Sequence, residues 1–447
     1  MKNDTRNILL FGAGKSATVL INYLLAQSAP CKWTLTVVDA DLQLARSKIN
    51  AHPNALALSF DINNNEERVK VISHADIVIS MLPPALHYIV AQDCIAFRKN
   101  LLTASYLDEK IKALQSRINR HQLLFLCEMG LDPGIDHMSA MQMIDNIKDQ
   151  GGLVKSFKSH CGGLVAPESD DNPWHYKITW NPANIVNAGK AGAVYKENGY
   201  ITKINYPDIF NQHGMVSIPG YGRYVCYPNR DSLSYMSLYR LESTSTFIRT
   251  TLRHPHFCIG WKYIIKAGLT NEDVVVSAKN YTGQPIAEWF LHCLQTHTQS
   301  GNFTDFLTKQ VAVEERVLVQ ELFSYLGLLS NDVIPDTLSA HSSVLQYLLE
   351  TRLKLGNQDK DMIVMLHEID YEVRGKYYSA KSSMAIKGED HLITAMAKTV
   401  GLPLAIAAEL ILNNSIRLTG LHIPIIKDIY EPVLAKLKDN KIYFREI

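Results

Sequence analysis

Gly12, Gly14 and Ala17 stand in the spacing G-x-G-x-x-A directly after the apolar run 8–11. A chain that turns tightly, brings its backbone against a phosphate and packs a helix closely on a strand needs small residues at those places. The pattern suits the pyrophosphate of a dinucleotide. Lys15 and Ser16 lie inside the turn, in a helix expected from Lys15 whose first amides face phosphate oxygens. Asp39 closes a second apolar run, 34–38, where a carboxylate can accept both hydroxyls of an adenosine ribose. Asp61 ends a third run and suits either an adenine amino group or an ordinary turn. Ser80 and Leu82 end a fourth, just before Pro83 and Pro84, which hold an extended loop fit to pass a nicotinamide ribose.

A second group of residues suits an acidic ligand. Residues 161–182 are dense in Gly, Pro, Trp and Tyr, the texture of an ordered loop that lines a pocket. Arg230 and Arg253 follow, and a guanidinium fork pairs carboxylates bidentately. Either one alone equally fits a solvated surface. Cys161 alone fits a small buried hydrophobe. No metal-ligand spacing stands out among the histidines; His137 and His160 read as helix-start and strand-surface positions.

The elements that must hold these residues are legible as alternation. Strands are expected at 8–11, 34–38, 55–60, 77–81, 101–103 and 123–127, and helices at 41–48, 66–73, 86–97 and 108–120. Six strands with helical crossovers make an α/β, doubly wound parallel sheet, which binds ligands beyond the strands' carboxyl ends. After the crossover 128–136, Asp136 is expected to cap a helix to 148. From 153 the texture becomes α+β, with a hairpin over 193–203 turning at Asn198 and Gly199. Helical spacing returns at 286–296, 311–328 and 338–354. Strands follow at 362–371 and 377–386, and alanine-rich helices at 391–399 and 404–413.

Composition sets bounds. The 447 residues predict two or three domains, and a net charge of +1 offers no footprint for nucleic acid or an anionic membrane. Seven scattered cysteines without a CxxC fit a reducing compartment. The stretch 402–412 is expected to be too short to span a bilayer and contains Glu409. With a polar start running straight into the first strand, these features give the expectation of a cytoplasmic protein.

Motifs in order along nearly the whole chain carry a resemblance: GAGKSA at 12–17, SY at 105–106, GLDPGIDH at 130–137, SHCGGLVAPESDDNP at 159–173, CYPNRDS at 226–232, IRTTLR at 248–253 and TVGLPLAIA at 399–407. On these the chain resembles the glutamate-forming saccharopine dehydrogenases. The resemblance implies a variant Rossmann domain with a parallel sheet (1–132 and 390–447), an α+β substrate domain (133–285 and 358–389) and a helical domain (286–357). It implies NAD(P)-dependent condensation of 2-aminoadipate 6-semialdehyde with glutamate to saccharopine, or the reverse, in a homodimer. It places substrate contacts on Ser105, Tyr106, Arg230, Thr251, Leu252 and Arg253, with Tyr106, Asp132 and Cys161 near the reacting centre. Fungal relatives carry a basic residue near position 39; Asp39 would repel a 2′-phosphate, so NAD is expected over NADP, with nearby Arg46 keeping NADP open. His175 stands where relatives tend to be small. The rival readings are an imine reductase like the carboxynorspermidine dehydrogenases, whose polyamine substrates call for acids rather than arginines, and a non-catalytic NAD-binding protein.

Overall fold

Ile8, Leu9, Leu10 and Phe11 have no exposed surface, because β1 (Arg6–Phe11) is an inner strand of a parallel sheet. The computed structural model describes residues 5–211, 214–272, 283–338 and 340–447. The chain divides into two compact units: Met1–Leu153 with Val373–Lys376 and Leu392–Glu446, and Val154–Glu372 with Tyr377–His391 and Ile447.

The first unit begins with the expected alternation: β1, α1 (Ala17–Cys31), β2 (Trp33–Asp39), α2 (Leu42–Ile49), β3 (Ala55–Ser59), α3 (Asn65–His74), β4 (Ile77–Ser80), α4 (His87–Ala96) and β5 (Asn100–Thr103). Then come α5 (Glu109–Lys112), α6 (Gln115–Arg120), β6 (Leu124–Leu126) and α7 (Ile135–Asp149). The helix expected over 108–120 is thus two short pieces. Helix α1 starts at Ala17 rather than Lys15. Asp136 is not the cap of α7: it lies in the first turn, and its Oδ1 accepts from the Gly134 amide at 2.6 Å.

The second unit holds β7 (Leu153–Val165), α8 (Ala183–Val186), the hairpin β8 (Ala193–Glu197) and β9 (Tyr200–Ile204), β10 (Gly214–Ile218), β11 (Gly222–Pro228) and β12 (Arg230–Asp231). It continues through α9 (Ser234–Leu238), β13 (Thr246–Arg253), α10 (Pro255–Lys266), α11 (Ile286–Thr298), α12 (Phe303–Gln310), α13 (Arg316–Tyr325) and α14 (His341–Arg352) to β14 (Asp361–Val373) and β15 (Lys376–Lys387). The hairpin turns where expected, with Asn198 and Gly199 at φ 50° and 88°. Its mixed sheet runs β10-β11-β13-β7-β14-β15. Helices α11 to α14 share one apolar core with α10: Trp261, Trp289, Phe306 and Phe323 are fully buried in a single cluster.

The chain then returns to the first unit with α15 (Ala395–Leu412), β16 (Gly420–His422) and α16 (Lys427–Asp439). β16 adds a seventh parallel strand beside β6, giving the order β16-β6-β5-β4-β1-β2-β3. The two helices expected at 391–399 and 404–413 are one helix running through Pro403. At 18 residues and mean hydropathy 1.6, α15 is long and apolar enough to cross a membrane, but 83% of it is buried inside the protein. It packs on α1 through Gly401, where an added Cβ would stand 2.9 Å from the Leu20 amide nitrogen. Glu409, on its last turns, pairs with Lys436 Nζ at 2.7 Å and accepts from the Tyr23 hydroxyl.

Candidate functional site

The strand order of the first unit reverses between β4 and β1, the place where open α/β sheets bind ligands. A cleft of about 840 Å³ opens there, with Gly12, Gly14, Asp39, Asp61 and Leu82 in its lining. Gly12 has φ +97°, and a Cβ there would stand 2.9 Å from the Met81 carbonyl oxygen, so only glycine makes this turn. Around Gly14 no atom lies within 4 Å of where a Cβ would project, which leaves its backbone open to a ligand. These residues fit a dinucleotide. Asp39 also holds the loop together: its Oδ2 accepts from the Ala13 amide at 2.7 Å and its Oδ1 from the Asp41 amide at 3.0 Å. Each oxygen keeps a further lone pair for a ribose hydroxyl. Asp61 is exposed and bonds the Asn63 amide at 2.9 Å, so a turn acid and a cleft residue are one and the same.

Four expected cofactor residues adjoin the lining along the chain without being part of it. Lys15, Ser16 and Ala17 are absent from the lining; Lys15 is exposed, and Ala17 is buried in the first turn of α1. Ser80 is completely buried, and its hydroxyl bonds His87 Nδ1 at 2.8 Å. The lining also takes in Phe11, Phe60, Ile62, Met81 and Leu86, an aromatic and apolar wall at and beyond the ends of β1, β3 and β4.

Ser105 and Tyr106 follow β5 in the same unit. The Tyr106 hydroxyl donates to Asp132 Oδ1 at 3.1 Å, so the fold brings this expected pair together across the GLDPG turn. Two residues not foreseen position the loop. Glu128 Oε1 accepts from the Leu107 amide at 3.0 Å, while its Oε2 lies 2.8 Å from His137 Nε2. His87 bridges Ser80 and Ser105, with Nε2 2.8 Å from Ser105 Oγ, and burial lowers its pKa to about 4. The ring is therefore neutral at physiological pH, with one nitrogen donating and the other accepting. His137 is a helix-start residue as expected; His160 is buried instead of lying on a strand surface, with Thr250 Oγ1 at 2.7 Å and Glu368 Oε2 at 3.2 Å.

In the second unit β13 runs parallel to β7 with Thr251 opposite Cys161. Arg253, two residues on, shares the Thr251 face and is buried. Its Nη1 donates to the carbonyls of Gly163 and Leu252, and its guanidinium lies over the rings of Tyr176 and Phe257 at 5.3 and 5.6 Å. Its Nε has no partner among the described residues, a buried donor left for an anion. Leu252 points the other way, into an apolar cluster with Leu164 and Val364, so only its backbone can meet a ligand. Arg230 is exposed on β12 at φ 53°.

The sequence reading found no metal ligand set, yet the fold brings His175, His254 and His256 together from separate segments. Burial, together with the two neighbouring imidazoles, lowers the pKa of His254 to about 3.

A family model described as the saccharopine dehydrogenase NADP binding domain matches residues 8–126, and one described as the saccharopine dehydrogenase C-terminal domain matches residues 130–442. The chain is 32% identical to a saccharopine dehydrogenase (NADP+, L-glutamate-forming) of Saccharomyces cerevisiae, covering 99% of both. It is 32% identical to an alpha-aminoadipic semialdehyde synthase of Arabidopsis thaliana over 93% of this chain, but only 41% of that one. It spans less than half the length of such plant and animal relatives, 47% for that of Bos taurus. The solved structure of apo saccharopine dehydrogenase (L-Glu forming) from Saccharomyces cerevisiae superposes with a TM-score of 0.88 at 30% identity, covering 99% of each chain.

Proposed function

This chain belongs to the saccharopine dehydrogenase family, and on that premise we propose that it is an L-glutamate-forming saccharopine dehydrogenase. The observation that carries the reading is the end-to-end match to the yeast enzyme, in sequence and in fold. In this reaction the amine of glutamate adds to the aldehyde of 2-aminoadipate 6-semialdehyde, water leaves, and the resulting C=N is reduced to the secondary amine of saccharopine. A nicotinamide supplies or takes up the hydride.

This chain's residues support that chemistry separately in each unit. Gly12, Gly14 and Asp39 would hold the dinucleotide. Tyr106 now donates its one hydroxyl proton to Asp132, and is suited to turn that donation from Asp132 to the hydroxyl that departs as water. In the second unit, Arg253 presents an unpaired buried donor to a carboxylate, and Arg230 is a further candidate grip for a substrate with three acidic groups. Cys161, beside Thr251, is assigned a packing position near the substrate, since hydride transfer needs no covalent nucleophile.

We further propose NAD over NADP. Asp39 lines the cleft and Arg46 does not, so the charge nearest a 2′-phosphate is negative. The relatives' names point to NADP+, which makes the comparison decisive. The purified chain incubated with saccharopine and either oxidised cofactor is expected to produce reduced nicotinamide, with the higher kcat/KM for NAD. Absence of turnover with both refutes the activity; a strong NADP preference refutes only the cofactor assignment.

A further inference from the structure

We propose that His175, His254 and His256 form a binding site for a divalent cation of the zinc class, independent of the dehydrogenase reading. One ligand-capable atom from each residue lies within 4.8 Å of the other two, and the ring centroids are 3.7, 4.9 and 4.7 Å apart. Nitrogens bound tetrahedrally at zinc distances stand roughly 3.3 Å from one another. The ligand atoms must therefore close by at most about one bond length, while the His175 and His254 rings, tilted 35° to one another at 3.7 Å, must splay apart to converge on one ion. All three side chains are partly exposed, so a hydrated ion can reach them. Three imidazoles with no carboxylate ligand suit zinc, nickel, cobalt or copper and not the oxygen-seeking magnesium or calcium.

The hydrogen bonds around the cluster decide which nitrogens are available. His175 Nδ1 lies 2.6 Å from Asp170 Oδ2 and His256 Nδ1 3.1 Å from the Pro173 carbonyl. Both acceptors call for a proton on Nδ1, which in the neutral ring leaves the lone pair on each Nε2. This is how outer carboxylates and carbonyls fix the tautomer of a ligating histidine. His254 differs: its Nδ1 accepts the His256 amide at 3.2 Å as the cap of α10. Coordination through either of its nitrogens breaks that bond, because Nε2 becomes available only when the proton moves to Nδ1. The site therefore opposes the helix cap, and the positive end of the α10 dipole also disfavours a cation. Asp170, held against His175, supplies the compensating negative charge. Three protein ligands leave a fourth position for water or an anion.

The test uses the full chain stripped with a chelator and then titrated calorimetrically with Zn2+ alone, and optically with Co2+ alone. One equivalent is expected, with the ligand-field bands of a tetrahedral cobalt site, and a rise in Tm on saturation. Asp170→Asn should weaken binding about tenfold, and His175→Ala and His256→Gln should each remove the one-to-one event while keeping the metal-free Tm. The His256 amide should exchange faster once zinc is bound, because its cap partner is taken. Equal uptake by the His175→Ala/His256→Gln double variant overturns the site. So does the lack of any saturable event in the unaltered chain. An unchanged His256 amide on zinc saturation overturns the part given to His254.

Discussion

Replacing Gly14 by alanine should separate binding from stability. In the protein alone the added methyl meets nothing within 4 Å, and the φ of Gly14 lies outside the left-handed region that alanine avoids. The substitution therefore restricts the unfolded chain without straining the folded one, worth about 0.4–1 kcal/mol of added stability. For a unit of about 200 residues that raises Tm by roughly 1–4 °C. The methyl instead occupies the space through which the backbone approaches the pyrophosphate. Losing one charge-assisted hydrogen bond costs about 1.5–3 kcal/mol, or roughly 10- to 150-fold in Kd. Gly401→Ala is the contrasting case, because its methyl would stand 2.9 Å from the Leu20 nitrogen and 3.0 Å from the Ser16 carbonyl oxygen, both backbone atoms. Overpacking of this kind costs about 1–3 kcal/mol, offset by up to about 1 kcal/mol of helix propensity. Thermal unfolding of the cofactor-free variants and fluorescence titration with reduced nicotinamide cofactor measure both quantities. If Gly14→Ala binds within twofold of the unaltered chain, or is the less stable of the two glycine variants, the assignment of the cleft is wrong.

Tyr106→Phe should lower kcat about 100-fold or more with a small change in KM, if the hydroxyl assists loss of water; steady-state kinetics in the condensing direction decides, and equal turnover removes the role. Lys436→Met leaves Glu409, 8% exposed, with the Tyr23 hydroxyl as its remaining side-chain partner among the described residues, and should destabilise the protein by about 1–2 kcal/mol; adding Glu409→Gln should recover most of this in urea unfolding. Burial lowers the pKa of both His87 and His341 from 6.5 to about 4, so the unfolded chain takes up protons that the folded chain refuses. Stability is expected in full above pH 6.5 and to fall as the pH drops toward 4, with Glu368 adding to the loss below 4.5, since its pKa is lowered to about 2 chiefly by the bond from His160. A Tm that stays flat from pH 7 to 4, or an unchanged slope in His87→Gln, contradicts the neutral bridge between Ser80 and Ser105.

Several parts of this protein were written locally. The turn at Gly12 and Gly14, the acid at Asp39 and the alternation of buried runs with amphipathic helices each depend on neighbours a few residues away, and periodicity records such neighbours faithfully. The hairpin at Asn198 and Gly199 is legible for the same reason: its positive φ angles are a local demand. Strand β16 is only three residues long, too short for any period, and exists because β6 offers an open edge. The packing of α15 inside the protein is legible in its alanines and in Glu409, but its continuity through Pro403 was hidden, since a proline ordinarily ends a helix. That the Ser80 hydroxyl meets His87, and that strand alternation sends the Leu252 side chain into the core, is decided by the fold and not by spacing. The gathering of His175 with His254 and His256, and of Arg253 with Tyr176, joins segments far apart in the chain. Spacing along a sequence carries no record of such meetings, because they are set by which sheet edges and loops pack together after the local elements have formed.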